Sequence, residues 1–182
     1  VAAAVGIAFG VAEVIKFGKE SVKAFSDSEK AAKALEFAIT KISKENELAV
    51  RSMERLAKQL SALSGYSIFD DSDIKKTQAM LIQLGLTTEQ VKKLLPVIID
   101  AASVTGDLTA ASDQFANAIN GKVSPELKKL GINFDATGDR QHNFNKLIEQ
   151  GTILQGAHSV AIETAAGKAA IMKARIDELK IE

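Results

Sequence analysis

His142 and His158 are the only histidines in a chain of 182 residues that contains no cysteine. Imidazole and thiolate are the side chains best suited to binding transition metals or moving protons near neutral pH. The two histidines fall in separate elements, with no Asp or Glu at ligand spacing, so a metal site would need them to meet by coincidence. They read as a solvated turn histidine and a helix-surface histidine. Asp70, Asp71 and Asp73 resemble a cation-binding run. An EF-hand loop needs glycine at its sixth position and glutamate at its twelfth. Counted from Asp70, the sixth residue is Lys75, a cation where the turn glycine belongs. Helix capping is the better reading of these aspartates.

Other chemistry is missing from the pattern. There is no GxxxxGK[ST] phosphate loop and no glycine-rich turn between a strand and a helix, so no nucleotide site is expected. No serine sits in GxSxG, and no pair of carboxylates has an interpretable spacing. The sequence predicts neither enzyme activity nor a bound cofactor or metal.

The elements that would carry such residues are helical. With two prolines, no tryptophan, and aromatics at 5%, the composition suits helices far better than a β-sandwich. Lysine plus arginine and aspartate plus glutamate both number 23. The balance stays flat along the chain: 10 positive and 8 negative over residues 1–64, 7 and 8 over 65–134, 6 and 7 over 135–182. No basic face stands out, which argues against specific nucleic-acid binding. Disulfides and thiolate metal sites are excluded. The chain starts without methionine and ends inside a helical pattern, so a piece of a longer protein is expected.

The first 12 residues, VAAAVGIAFGVA, carry no polar side chain, and an Ala/Gly-rich helix is expected over 1–25. Such a run is shorter than the roughly 20 residues needed to span a bilayer. Ala2, Gly6 and Gly10 are spaced by four, which permits close helix contact in a membrane and equally an ordinary helix buried against protein. Ser26-Asp27-Ser28-Glu29 has the form of a capping box and restarts the helix. From there to Ser64 no proline or glycine intervenes, and Leu35, Ile39, Ile42, Asn46, Ala49, Met53, Leu56, Leu60 and Leu63 recur in alternating steps of four and three. This is a heptad seam over 27–64 with one polar member, Asn46, of the kind that fixes register in a coiled coil. Self-association through this seam and packing against the chain's own short helices both fit the pattern. Phe37, Leu48 and Val50 widen the apolar surface beyond a two-helix seam.

A compact module of short helices is expected over 65–157, with a start or stop signal at almost every boundary. Asp70, Asp71 and Ser72 can cap a helix ending at Gly85, and Thr87-Thr88-Glu89-Gln90 is a capping box. The stripe it opens (Val91, Leu94, Leu95, Ile98, Ala101, Ala102) keeps helical spacing through Pro96, so one helix kinked at Pro96 is expected, ending at Gly106. Asp107 or Thr109 starts the next helix, and Ser124-Pro125 starts another that ends at Gly131. Around Thr137-Gly138-Asp139 the pattern is least helical, and Ile132 to Phe134 against His142 to Phe144 could pair as a small hairpin. A helix follows from about Asn143 to Gln150, and a further long one runs over 156–182.

The order of these pieces resembles a known family. The stretch Leu-x-x-Leu-Gly-Leu-Thr-Thr-Glu-Gln-Val-x-x-Leu-Leu-Pro-x-Ile-x-Asp-Ala-Ala (81–102) is followed by Thr105-Gly106-Asp107-Leu108, Ala118-x-x-Gly121 and Leu127-x-x-Leu130-Gly131-Ile132. With Gln155-Gly156-Ala157 and Ala165-Ala166-Gly167, it is similar to the tail tape measure proteins of long-tailed bacteriophages and prophages, over roughly residues 61–173. The resemblance implies a structural protein of the virion, lying in the tail tube lumen or at the tail tip after assembly in the host cytoplasm. It would set tube length and leave ahead of the DNA during genome ejection. Implied partners are further copies of itself, tail tube and tail tip proteins, and the host membrane. Some members carry a wall-degrading domain, and nothing in this chain resembles one. The alternative expectation is a membrane-active or pore-forming helical module. In sum the expected architecture is all-α, with long amphipathic, coiled-coil-like helices flanking the compact module.

Overall fold

The computed structural model describes residues 11–61, 68–164, 167–169 and 171–173. Among them there is no strand, and the architecture is all-α. The order is α1 (Val11–Phe37), a π-helical segment (Ala38–Ile42), α2 (Glu47–Ser61), α3 (Asp71–Gln83), α4 (Thr88–Thr105), α5 (Leu108–Ile119), α6 (Pro125–Lys129), α7 (Arg140–Gly151), a 3₁₀ turn (Thr152–Leu154) and α8 (Ala157–Glu163). The close-packing candidates Ala2, Gly6 and Gly10, the seam residue Leu63, and the end of the expected last helix lie outside the described residues. No described helix is long and apolar enough to cross a membrane.

The long helix expected over 27–64 is not one helix, for two local reasons. At its start, α1 passes straight through Ser26-Asp27-Ser28-Glu29, which sit mid-helix and do not act as a cap. Their charges pair along the helix surface, Lys33 with Glu29 at 2.6 Å and Lys30 with Asp27 at 3.8 Å. Further on, the helix widens into the π segment and stops. Lys44 takes a left-handed conformation (φ 57°), and the Asn46 side-chain oxygen accepts the amides of Leu48 (3.0 Å) and Ala49 (3.2 Å). Asn46 is therefore the cap of α2 and not a buried coiled-coil polar residue. Asparagine competes for backbone hydrogen bonds within a helix and satisfies orphan amides at its start, which favours this outcome.

The turn sends the seam back into the chain's own core. Leu35, Ile39, Met53 and Leu60 are buried together with residues of α3, α4 and α5, while Ala49 and Leu56 pack against that core from its edge. Ile42 and Asn46 are exposed. One continuous core thus takes in the end of α1, α2 and the short helices, so the boundary expected near residue 64 does not divide the packing. Helix α3 lies against both α1 and α2, α4 against α5 and α8, and α5 against α7. Buried polar groups tie α3 to its neighbours: the Gln78 amide nitrogen donates to the Met53 carbonyl (3.0 Å), and the Thr77 and Ser112 hydroxyls meet at 3.3 Å.

The short-helix boundaries follow their caps. Asp70 accepts from the Asp73 amide at 2.8 Å, and the Thr87–Gln90 box is reciprocal. Asp107 and Ser124 accept from Ala110 and Leu127. Helix α4 is continuous through Pro96, whose ring is exposed.

Two further expectations are corrected. His142 to Phe144 lie inside α7 and pair with no strand, because Asp139 caps the Gln141 and His142 amides. Asn143, fully buried, accepts the Thr137 amide (2.9 Å) and donates to the carbonyls of Thr137 (2.8 Å) and Ile119 (3.1 Å). One side chain thereby ties the turn at Thr137 to the end of α5. The expected last helix also breaks: α8 ends at Glu163, and Thr164 is extended (ψ 158°). The Thr164 hydroxyl accepts the Gly167 amide at 2.9 Å and so starts a new helical turn. A side chain at 167 would collide with the Ala161 carbonyl, so the fold-back requires glycine there.

If Asn46 caps α2, Asn46→Ala costs about 0.5–2 kcal/mol in urea unfolding, as for other N-cap losses. Asn46→Leu is then destabilising too. A gain in stability with Asn46→Leu would restore the coiled-coil seam.

Candidate functional site

Polar side chains of α4 and the elements packed on it make the densest set of tertiary hydrogen bonds, and they fall at three places. At its first turn, the Glu45 carboxylate accepts from the Thr88 hydroxyl (2.5 Å) and amide (3.2 Å), and from the Ser43 hydroxyl (2.6 Å). Burial pushes the Glu45 carboxyl up, but the hydrogen bonds from Ser43 and Thr88, with the nearby Lys92 charge, outweigh it and hold the group below its ordinary range. Negative charge at a helix N-terminus is also favoured by the helix dipole.

Beside that turn lies an open cleft of about 220 Å³, lined by Gly85, Leu86, Gln90, Ile119, Arg140, Gln141 and Phe144. Its rim is fixed by the Gln90 amide donating to the Gln141 side-chain oxygen (2.9 Å). The Arg140 guanidinium donates to the Leu84 carbonyl at the end of α3. All three polar side chains on the rim are thus engaged in joining helices.

The third place is the far half of α4. Asp100 accepts the backbone amide of His158 at 2.9 Å, and the Ser103 hydroxyl lies 2.8 Å from His158 Nδ1. Gly156 offers no side-chain cap, so Asp100 supplies from another helix the acceptor that the first turn of α8 lacks. His158 is buried, its ring stacked on Phe69 with centroids 6.4 Å apart. The expectation of a helix-surface histidine is therefore wrong. The serine oxygen also lies 2.8 Å from the Ile99 carbonyl, and only its own hydrogen can serve that bond. Nδ1 must then carry a hydrogen and donate to Ser103, leaving Nε2 with a bare lone pair. The reverse tautomer would bury an orphan N–H at Nε2 and cost the Ile99 carbonyl its bond from the Ser103 hydroxyl, and orphan N–H groups are the rarer defect. Nε2 has no hydrogen-bond partner among the described residues. Burial lowers the imidazole's proton affinity more than the Asp100 charge raises it.

This trio does not form a nucleophile–base pair. The serine accepts from the imidazole instead of giving it a proton, and the basic nitrogen is buried with no hydrogen-bond partner among the described residues. His142, by contrast, is exposed on α7. Asp70, Asp71 and Asp73 act as cap and ion pairs: Asp71 meets Lys75 at 2.8 Å and Asp73 meets Lys76 at 2.9 Å. No group of three or more such side chains placed to hold a metal occurs among the described residues. Asp100 and Ser103 share a face of α4 at i, i+3 spacing, but nothing local in the sequence connects them to residue 158.

Comparisons of the chain with protein-family models, with curated proteins and with solved structures find no match.

Replacing Glu45 by Gln weakens acceptors for three donors, and a loss of about 1–3 kcal/mol at pH 7 is expected from the cost of poorly satisfied groups. Because the folded carboxyl is held low, its contribution is fully present above the unfolded value and fades as pH falls through the folded one. Urea midpoints of the two proteins should therefore converge below about pH 4. A constant gap down to pH 3 would mean that the charge is irrelevant.

Proposed function

We propose that this chain is a structural, non-enzymatic module of a phage tail tape measure protein. The observation that carries the reading is the use made of the resembling positions. Thr87 and Gln90 form the reciprocal cap, Asp107 and Ser124 start helices, and Gly85, Gly106, Gly121, Gly131 and Gly156 all take positive φ at helix boundaries. Leu81, Val91, Leu94, Leu95, Ile98 and Leu127 are buried. The shared pattern is thus a set of instructions for backbone and core, as a structural family would need, and it positions no reactive group. In this reading the module sits in the tail tube lumen or at the tail tip, with copies of itself and with tail tube and tip proteins as partners. Helices translate chain length into physical length at about 1.5 Å per residue, which is how such a chain would set tube length. The host membrane would be met only as the chain leaves ahead of the DNA.

Purified particles of the phage that encodes the chain provide the test. Mass spectrometry should detect residues 11–173 in intact virions, protected from added protease, and their loss from the tails after triggered ejection. Absence from particles, or retention in emptied tails, would end the proposal.

A further inference from the structure

We propose that the His158 box is an acid-sensitive latch that holds α8 on α4 at neutral pH and lets it go on acidification. The inference stands on this geometry and does not depend on the tape measure reading. Helix α8 has seven residues, too few to persist without tertiary support. Its attachment to α4 includes the amide of His158 on Asp100 and the ring nitrogen of His158 on Ser103. The same ring stacks on Phe69, in the segment that leads into α3. One imidazole therefore joins three parts of the chain.

That joint is built for the neutral ring. Ser103 takes the one ring hydrogen, its own hydrogen being on Ile99, and Nε2 is buried with no partner among the described residues. A second proton would put an N–H and a positive charge where the described residues offer no acceptor. Among the described residues, the groups facing the ring are Asp100 and Ser103 from α4 and Phe69 from the segment before α3, and of these only Asp100 is charged. Its carboxylate already caps the His158 amide, so turning it to the ring would loosen the start of α8. Either response to protonation weakens the docking.

The sign follows from where the proton prefers to bind. Burial lowers the folded-state affinity, so the undocked ring binds a proton more readily than the docked one. Docking is then at full strength above about pH 6.5, weakens as pH falls below it, and levels off below the folded value.

The test is amide exchange and histidine NMR on the intact chain, between pH 7.5 and 5.0, with protection corrected for intrinsic exchange. Expected are protection factors over 157–163 that fall by up to about tenfold per pH unit below pH 6.5, the slope of a one-proton linkage. Those over 91–99 should hold, and the His158 ring signal should titrate within the pH range over which the protection is lost. His158→Phe keeps a ring against Phe69 and should flatten the profile; His158→Gln serves the same purpose if the phenylalanine protein does not fold. Unchanged protection in the parent chain, an equal loss in either folded variant, or a ring titration detached from the exchange would each overturn the latch.

Discussion

Glu45 accepts from the Ser43 hydroxyl and from both donors of Thr88, and so joins the turn between α1 and α2 to the first turn of α4. Much of the fold depends on that joint. It sets where α2 leaves the turn, and hence how Met53 and Leu60 meet Leu35 and Ile39 over α3. It also fixes one end of α4, the helix that receives α5, α7 and α8. A fold assembled from short helices exposes many backbone ends for its size, since each helix leaves four amides and four carbonyls without internal partners. Apolar contact alone cannot satisfy them, so long-range caps such as Glu45 on Thr88, Asp100 on His158 and Arg140 on Leu84 decide which ends lie side by side.

The distinction between near and distant partners explains what could be read from the residues alone. The Thr87–Gln90 box, the Asp107 and Ser124 caps and the helix running through Pro96 were all legible, because each depends on atoms within a few residues. The core positions of α4 were legible for the same reason: a helical stripe implies a buried side whatever covers it. The heptad seam misled because the four-three spacing continues through Asn46 although the backbone does not. A cap and a polar core residue look alike in a period. The hairpin failed because Asp139 starts α7 across residues 142–144, and Asn143, acting from inside that helix, ties the turn at Thr137 to the end of α5. His158 was misjudged since its surroundings come from residues 69, 100 and 103, far away in the chain.

Packing constraints of the same distant kind shape the seam between α7 and α4. A side chain at Gly151 would collide with Val97, next to Pro96, so the end of α7 can rest on α4 only because that position is bare. The exposed proline ring leaves the α4 backbone uninterrupted on its buried side, where Leu94, Leu95, Ile98 and Ile99 supply the contact. Helix α4 therefore takes packing from α5, α7 and α8, whereas α8 is short and attached at its far half.

Two buried acceptors have no partner among the described residues, Gln78 Oε1 and His158 Nε2, and their difference bears on what the molecule can do. Both carry the cost of lost hydration. Gln78 recovers part of it through its own amide nitrogen on Met53, and since the carboxamide does not titrate, that balance is the same at every pH. It sits between α2 and α3, inside the shared core, where a fixed cost is offset by the surrounding apolar contact. His158 lies at the margin, under a helix of seven residues, and its unpaired atom is a base. The cost there rises when protons are abundant, and the element it restrains is short enough to leave without opening the core. A polar defect becomes a control point only where its energy can change and the part it holds can move; in this fold the two conditions meet at residue 158.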